Sequence, residues 1–445
     1  MPPANGLLTD LYELTMAAGY FAAGKHTETA TFELTLRRLP PHRDFAITAG
    51  LHRAIDYLIN LGFSGDEIDY LRGHASFANA PADFWDYLRS FRFTGDVFAV
   101  PEGTVLYEGQ PLMTVRAPLI EAQIPETYLL AAIGYETLVA SKAARIVRAA
   151  EGRAIIEFGT RRAHSPETGV LGARAAYIGG CAGTSNVLAG YRYGIPTTGT
   201  AAHSWVMSFE SESEAFERLQ RLLGEHTVQL IDTYDTVEGA RIAARLGRPL
   251  WGVRIDSGDL DALSRQVRGI LDDAGLPEAR IMASGDLNES KIEALVKAGA
   301  PIDAFGVGTE LSTSADAPFL SATYKMVAIG THGNERYPVK CSPEKQTLPG
   351  AKQIFRLPDH DVLGLVTECL YGSEALLRPV MLGGNLAGPL PDAAAIRARA
   401  ALGVREWPTA GRRTILSKRL EALGGRTSSS APGLQRGNPT PCEEL

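Results

Sequence analysis

The sequence predicts an α/β protein with an irregular, TIM-like parallel barrel short of eight strands, joined to an additional α+β domain containing a small β-sandwich module. Three observations predict it. Between residues 154 and about 328, short apolar runs alternate with helical patterns at the spacing of βα units. Nearly every run ends in a charged or glycine-containing group: Arg161, His203, Asp232 with Asp235, Arg254 with Asp256, Asp286, and Gly306 with Thr309. Polar residues at the ends of many strands suit the mouth of a barrel better than the single crevice of a doubly wound sheet. Before this region, strand-like runs from Asp96 to Val115 are punctuated by Pro101-Glu102-Gly103 and Glu108-Gly109, the texture of a small sandwich.

Taken in order, Leu7, Leu8, Leu11, Leu14 and Met16 fall at helical spacing, with Thr9 or Asp10 placed to cap an opening helix. The alternation Thr31-Phe32-Glu33-Leu34-Thr35-Leu36 predicts a half-buried strand ending in Arg37-Arg38, and residues 45–49 predict another. The Arg pair is either a phosphate contact or a solvated strand end. Residues 54–61 and 83–88 read as helices, and residues 121–148 as an Ala-rich helix leading into the barrel. The barrel strands are predicted at 154–158, 195–200, 228–231, 251–255, 280–283, 304–307 and 322–327. Helical patterns such as 214–223 and 260–274 separate most of them. From Gly424 the chain is rich in Gly, Ser and Pro, a composition that predicts disorder.

Composition excludes several functional classes. With 445 residues, 45% hydrophobic and 21% charged, the chain is ordinary for a globular protein of two or three domains. A net charge of −7 gives no global positive field for nucleic acid, so small anions are the better expectation. Cys181, Cys341, Cys369 and Cys442 form no CxxC pair, which argues against a zinc ribbon or a disulfide framework. No run approaches the roughly 18 apolar residues of a membrane span, and the first residues lack a basic leader. A cytoplasmic location with no membrane partner is expected.

The densest chemistry lies in Glu157-Phe158-Gly159-Thr160-Arg161-Arg162, Gly183-Thr184-Ser185-Asn186 and Gly199-Thr200-Ala201-Ala202-His203-Ser204. The first and third open from apolar runs into cationic or titratable residues, and the second offers glycines for close backbone approach to a ligand. In order and spacing these segments resemble nicotinate phosphoribosyltransferase, a type II phosphoribosyltransferase, and the resemblance runs from Leu8 to about Pro391. It implies an enzyme that joins nicotinate to 5-phosphoribosyl 1-pyrophosphate, giving nicotinate mononucleotide and pyrophosphate with coupled ATP hydrolysis and Mg²⁺. It also implies a homodimer with shared sites. The domains expected are residues 1–125, completed by 330–405, a catalytic barrel at 126–329, and an extension at 406–445. The segments around Tyr324, Lys340 and Gln353 resemble the return to the first domain, where Lys345 and Lys352 either face pyrophosphate or are solvated.

Residue roles follow from the resemblance and from the reaction. Displacing pyrophosphate develops positive charge at the ribose C1, so the site needs carboxylates near the ribose and donors around the phosphates. Asp256 at a strand end suits the ribose hydroxyls or Mg²⁺, and Arg254 the base or its ribose. Ser257, Gly258, Gly285, Asp286, Gly306, Gly308 and Thr309, with Arg37, are the candidates for phosphate. The resemblance places nicotinate among Phe158, Arg161, Ser185, Thr200 and Arg254, with Tyr12 stacking from a neighbouring subunit; otherwise Tyr12 is a packing residue. It makes His203 the residue transiently phosphorylated by ATP, with Asp235 or Asp232 orienting the imidazole and Asp235 preferred. The nucleotide motif G-x-x-x-x-G-K-[ST] is absent, so ATP needs another kind of site.

Ser185 bears on substrate choice, because the nicotinamide-using relative carries Asp at the matching position. A carboxylate facing the nicotinate carboxylate at about 4 Å would cost roughly 4 kcal/mol at an effective dielectric near 20. Alternatively, Ser185 caps the following helix. Two other functions compete: nicotinamide phosphoribosyltransferase, and a catalytically silent binding protein on the same scaffold. The joint presence of His203, Asp256 and the glycine loops argues against silence.

Overall fold

The computed structural model describes residues 5–331, 334–340, 347–405 and 412–429. Cys341, Lys345 and Cys442 lie outside them, as does the chain from residue 430. Two compact units emerge, one formed by residues up to Thr137 with Phe319–Pro391 and the chain from Leu402, the other by Leu138–Pro318 and Asp392–Ala401. Among the described residues no helix is long and apolar enough to cross a membrane.

The first unit is built on a seven-stranded sheet. Its order is Asn334–Arg336, Ser321–Thr331, Thr29–Arg38, Pro111–Pro118, Asp96–Ala99, Arg378–Leu382 and Asn385–Leu386, with antiparallel neighbours throughout. Two expectations are corrected here. The runs after Gly95 do not make a separate sandwich: Asp96–Ala99 and Pro111–Pro118 pair with each other inside this sheet, while Val105–Leu106 pairs with Ala46–Ile47. The supposed barrel strand at 322–327 lies in Ser321–Thr331, antiparallel to Thr29–Arg38. There Tyr324 stacks on Phe32 at 4.9 Å and donates to the Ala122 carbonyl at 2.6 Å.

Thr29–Arg38 is also more deeply buried than its alternation suggests, because Glu33 has a partner. Lys352 Nζ lies 2.7 Å from Glu33 Oε2, with the two side chains 5% and 1% exposed, and the Lys352 amide donates to Glu33 Oε1 at 2.6 Å. Lys352 is thus neither solvated nor a loose cation. Removing one member of such a pair leaves a buried charge uncompensated, at a cost of about 3–5 kcal/mol.

The opening helix spans Leu11–Ala22, with Leu7 to Asp10 as its lead-in. Glu13 accepts from the Asp10 amide at 2.6 Å and from the Thr9 hydroxyl, satisfying groups that a helix start leaves open. The expected single helix at 121–148 is two, Leu119–Gln123 and Glu126–Ala149. At the other end of the chain, Arg413–Leu416 adds a parallel strand to His360–Leu365, and Lys418–Ser429 is a helix. This helix runs past Gly424, where the composition predicts disorder.

The second unit holds six parallel strands in the order Gly183–Thr184, Ala154–Glu157, Ala304–Val307, Arg280–Ala283, Gly252–Ile255 and Val228–Leu230. A parallel bridge from Thr184 to Thr197 extends one edge. Chain order follows a ring that joins Ala154–Glu157 to Ala304–Val307 and is broken between Thr197 and Val228. The result is a half-barrel. The strand expected at 195–200 shrinks to that one bridge, in which the Pro196 carbonyl accepts from the Thr184 amide and the Thr198 amide donates to the Thr184 carbonyl, while Pro196 itself has no N–H to offer. Neighbouring strands are closely apposed: a Cβ on Gly252 would sit 2.0 Å from the Arg280 carbonyl oxygen of the next strand.

The strand-to-helix connections share one device. Ser165, Asn186, Ser211, Asp235, Asp259 and Asn288 each cap the helix that follows, their side chains accepting from a first-turn amide. Polar residues after the strands therefore serve two purposes, and only some of them are available to a ligand.

Candidate active site

Arg254 is the hub of the half-barrel's polar end. It leaves strand Gly252–Ile255 beside Arg280–Ala283, which brings it to Ser284. Its Nε donates to Ser284 Oγ at 2.7 Å, Nη1 to Thr200 Oγ1 at 2.7 Å and Nη2 to Asp256 Oδ1 at 2.6 Å. The guanidinium carbon stands 5.4 Å from the centre of the Phe158 ring. Three of its five N–H donors are accounted for by these bonds, leaving two for a ligand.

Asp256 is the shared acceptor. Ser284 Oγ donates to Oδ1 at 2.5 Å, while Oδ2 lies 3.9 Å from His203 Nε2. Burial pushes its carboxyl up, but the Ser284 hydrogen bond and the Arg254 guanidinium outweigh burial and hold it below the usual carboxylate range. It is an anion at neutral pH. Behind it, Asp232 Oδ2 accepts from the Asp256 amide at 2.9 Å and from Ser257 Oγ at 2.7 Å.

His203 opens the short helix His203–Met207, and its Nδ1 lies 3.1 Å from Thr233 Oγ1. Asp235, the expected partner, instead caps helix Thr236–Leu246 through a 2.8 Å bond from the Glu238 amide. Thr233 is thus the orienting residue at this nitrogen. Ser284 and Asp232 were also not assigned these contacts from sequence. Ser284 follows a strand, and that position was the available signal; Asp232 was recognised only as an alternative to Asp235.

Close packing accounts for the glycines. A Cβ on Gly285, whose φ is +96°, would fall 2.0 Å from the Asp256 carbonyl oxygen, and one on Gly306 would fall 2.5 Å from the Phe158 ring. Gly308 approaches the Phe158 backbone, and Gly258 and Asp286 both adopt positive φ. Thr309 is exposed at the start of the short helix Thr309–Ser312. These residues line the ends of neighbouring strands that carry Asp256 and Phe158.

Arg161 and Ser185 are exposed on two loops tied by a 3.1 Å bond from Asn186 Nδ2 to Thr160 Oγ1. Asn186, not Ser185, caps helix Val187–Tyr193, accepting from the Ala189 amide at 2.8 Å. The Ser185 hydroxyl is therefore not the cap. Both loops rest on buried Glu157, which accepts from Thr184 Oγ1 at 2.5 Å and from the Gly159 amide.

Tyr12 and Arg37 belong to the first unit. Tyr12 is 45% exposed, next to exposed Leu8 and Leu11. Arg37 lines a cavity of about 220 Å³ with Glu33, Thr35, Lys325, Lys340 and Lys352.

Strand-end residues gathered around an arginine–aspartate pair, with glycine loops alongside, define an α/β half-barrel enzyme of the kind that handles small anionic substrates. Residues 7–134 match the family described as nicotinate phosphoribosyltransferase (NAPRTase) N-terminal domain, and residues 154–341 the nicotinate phosphoribosyltransferase (NAPRTase) family. The chain is 46% identical over 392 residues to nicotinate phosphoribosyltransferase pncB2 of Mycobacterium tuberculosis, covering 86% of this chain and 82% of that protein. It is 44% identical over 360 residues to nicotinate phosphoribosyltransferase of Bacillus subtilis, covering 79% and 73%. The crystal structure of human nicotinic acid phosphoribosyltransferase superposes with a TM-score of 0.82 at 29% identity, covering 94% of this chain and 99% of that one. The chain belongs to the nicotinate phosphoribosyltransferase family.

Glu212, near this site, has an unusual carboxyl. It is 9% exposed and its Oε1 has no hydrogen-bond partner among the described residues. Burial, followed by Glu238, Asp235 and Asp232, raises its pKa to about 7. A carboxyl raised above its unfolded value near 4.3 binds an extra proton on folding, so ionising it opposes folding increasingly from about pH 4 to pH 7. Glu212→Gln should therefore gain stability relative to wild type as pH rises. Denaturant unfolding at pH 5 and pH 8 checks this, and an equal gap at both values contradicts it.

Proposed function

We propose that the enzyme transfers the phosphoribosyl group of 5-phosphoribosyl 1-pyrophosphate to nicotinate. The ring nitrogen bonds to the ribose C1 as the bond from C1 to the pyrophosphate oxygen breaks, giving nicotinate mononucleotide and pyrophosphate. The observation that carries this reading is the Arg254–Asp256 pair at the strand ends, in a chain of this family, with Phe158 beneath the guanidinium. Phe158 offers a face to the pyridine ring, and Arg161 and the remaining Arg254 donors offer positive charge to its carboxylate. Asp256, kept anionic, stabilises the positive charge that develops on the ribose. The loops at Gly285-Asp286 and Gly306-Val307-Gly308-Thr309, with Ser257 and Gly258, present donors to the 5′-phosphate.

ATP hydrolysis is coupled through His203. The imidazole attacks the γ-phosphate, ADP leaves, and water later cleaves the phosphohistidine to phosphate. Thr233 holds Nδ1, which fixes the ring while its other edge faces Asp256. Mg²⁺ is also proposed. Asp232 Oδ1 is buried with no hydrogen-bond partner among the described residues, and Asp256 Oδ2 stands beyond the arginine contact, so both suit a hard cation. When bound, it would neutralise charge on the leaving pyrophosphate.

The active unit is proposed to be a homodimer acting in the cytoplasm, with Tyr12 completing the base site of a neighbouring subunit. The exposed run of Leu8, Leu11 and Tyr12 supports a covered face there.

Two variants test the reading. His203→Ala should lose ATP stimulation while retaining slow ATP-independent transfer, and γ-labelled ATP should mark wild type in an acid-labile, base-stable form. Equal labelling of His203→Ala would exclude the phosphohistidine. Ser185→Asp should lower the efficiency with nicotinate by at least about tenfold and narrow the preference over nicotinamide, because a carboxylate then faces the substrate carboxylate. Product formation from the two bases, with and without ATP, is the measurement. Wild type that uses nicotinamide as readily as nicotinate overturns the function itself, and an unchanged ratio in Ser185→Asp removes Ser185 from the specificity argument.

A further inference from the structure

The most deeply buried cation of the half-barrel unit has no part in the chemistry described so far. Lys142, on helix Glu126–Ala149, is 2% exposed, and its Nζ lies 2.7 Å from Glu289 Oε2, 2.9 Å from Asp316 Oδ1 and 3.7 Å from Glu310 Oε2. Arg145, nearly one turn further on, reaches the same carboxylates: Nη2 is 3.2 Å from Glu289 Oε1 and Nη1 is 3.0 Å from Asp316 Oδ2. Two cations thus bind three carboxylates that come from two different loops.

The positions of those carboxylates matter. Glu289 begins helix Glu289–Lys297, three residues after Asp286, in the connection that starts with positive-φ Gly285 and Asp286. Glu310 directly follows Thr309, after Gly306-Val307-Gly308, and Asp316 lies beyond the same short helix. Strands Arg280–Ala283 and Ala304–Val307 are neighbours, but their ladder ends at Ala283 and Phe305. Past that point, backbone pairing no longer sets the distance between the two loops. The ion cluster still joins them there.

We propose that Lys142 is a positioning residue for the 5′-phosphate of the phosphoribosyl substrate, clamping the loop at 285–289 to the loop at 306–310. This rests on the assignment of those loops to the 5′-phosphate. A buried ion cluster is weak support for stability as such, since well-packed apolar side chains often do as well, but its multiple fixed contacts hold two segments in one geometry.

Calorimetric titration with ribose 5-phosphate and, separately, with pyrophosphate tests the proposal on the full-length protein. Lys142→Met should weaken ribose 5-phosphate by about tenfold or more while leaving pyrophosphate within about twofold, a selectivity that general loosening of the fold would not produce. Glu310→Gln keeps Lys142 paired with Glu289 and Asp316, so it decides the matter should Lys142→Met not fold; it should weaken ribose 5-phosphate selectively by about threefold. Gly308→Val, which crowds the loop itself, separates the two levels of the argument. If it leaves ribose 5-phosphate affinity intact, the loop assignment fails and takes the clamp with it. If it weakens binding while Lys142→Met, where folded, and Glu310→Gln bind like wild type, or lose both ligands equally, the positioning role alone is overturned.

Discussion

The bond between Arg254 and Asp256 is the interaction on which the rest of the site depends. An arginine among the ends of buried strands needs acceptors, and an aspartate there needs donors; each is the other's partner. The pair is not isolated. Ser284 bonds to both members, Thr200 takes a further N–H, Phe158 covers the guanidinium, and Asp232 holds the Asp256 amide. Such a lattice leaves few ways for the arginine to move, so its remaining donors are pre-aimed, which is what the proposed recognition of a planar carboxylate requires.

The surrounding backbone conforms to that pair. Gly285 is a glycine because the Asp256 carbonyl passes where a side chain would be, and Gly306 because the Phe158 ring does. Glu157 ties the Gly159 turn to the Thr184 loop, and Asn186 spans to Thr160, so Arg161 and Ser185 ride on segments braced from below. On the proposed assignment of Arg161 and Ser185 to nicotinate, substrate choice is linked to strand packing. A change in the loops that carry Arg161 or Ser185 has to be accommodated by Glu157, a carboxyl that burial pushes up and that Thr184 and the Gly159 amide pull back.

Much of this was legible in the sequence, for definable reasons. The βα spacing of residues 154–307 is a local pattern and forms largely as read, apart from the run at 195–200, because most of the strands are short apolar runs and most of the following helices have their own cap. Non-local pairing was not legible. Nothing in residues 96–118 states that they pair with one another inside a sheet that also takes Thr29–Arg38 and Ser321–Thr331, so a compact sandwich was the simpler reading. At the site, His203, Asp256 and Arg254 stood out as titratable or cationic residues at strand ends. Thr233 and Ser284 did not, since a hydroxyl after a strand is unremarkable until its neighbour across the sheet is known. Asp235 misled for a related reason: helix capping and ligand contact select the same residue types in the same loops.

The central claim, that Arg254 and Asp256 act as one unit, is tested most directly by a double-mutant cycle on kcat/KM for nicotinate, using Arg254→Met, Asp256→Asn and the combined variant. Residues that act together are strongly non-additive, so the double variant is expected to lose no more than about threefold beyond the worse single variant. Losses that multiply across the two substitutions would mean that each residue works alone, and would contradict the account.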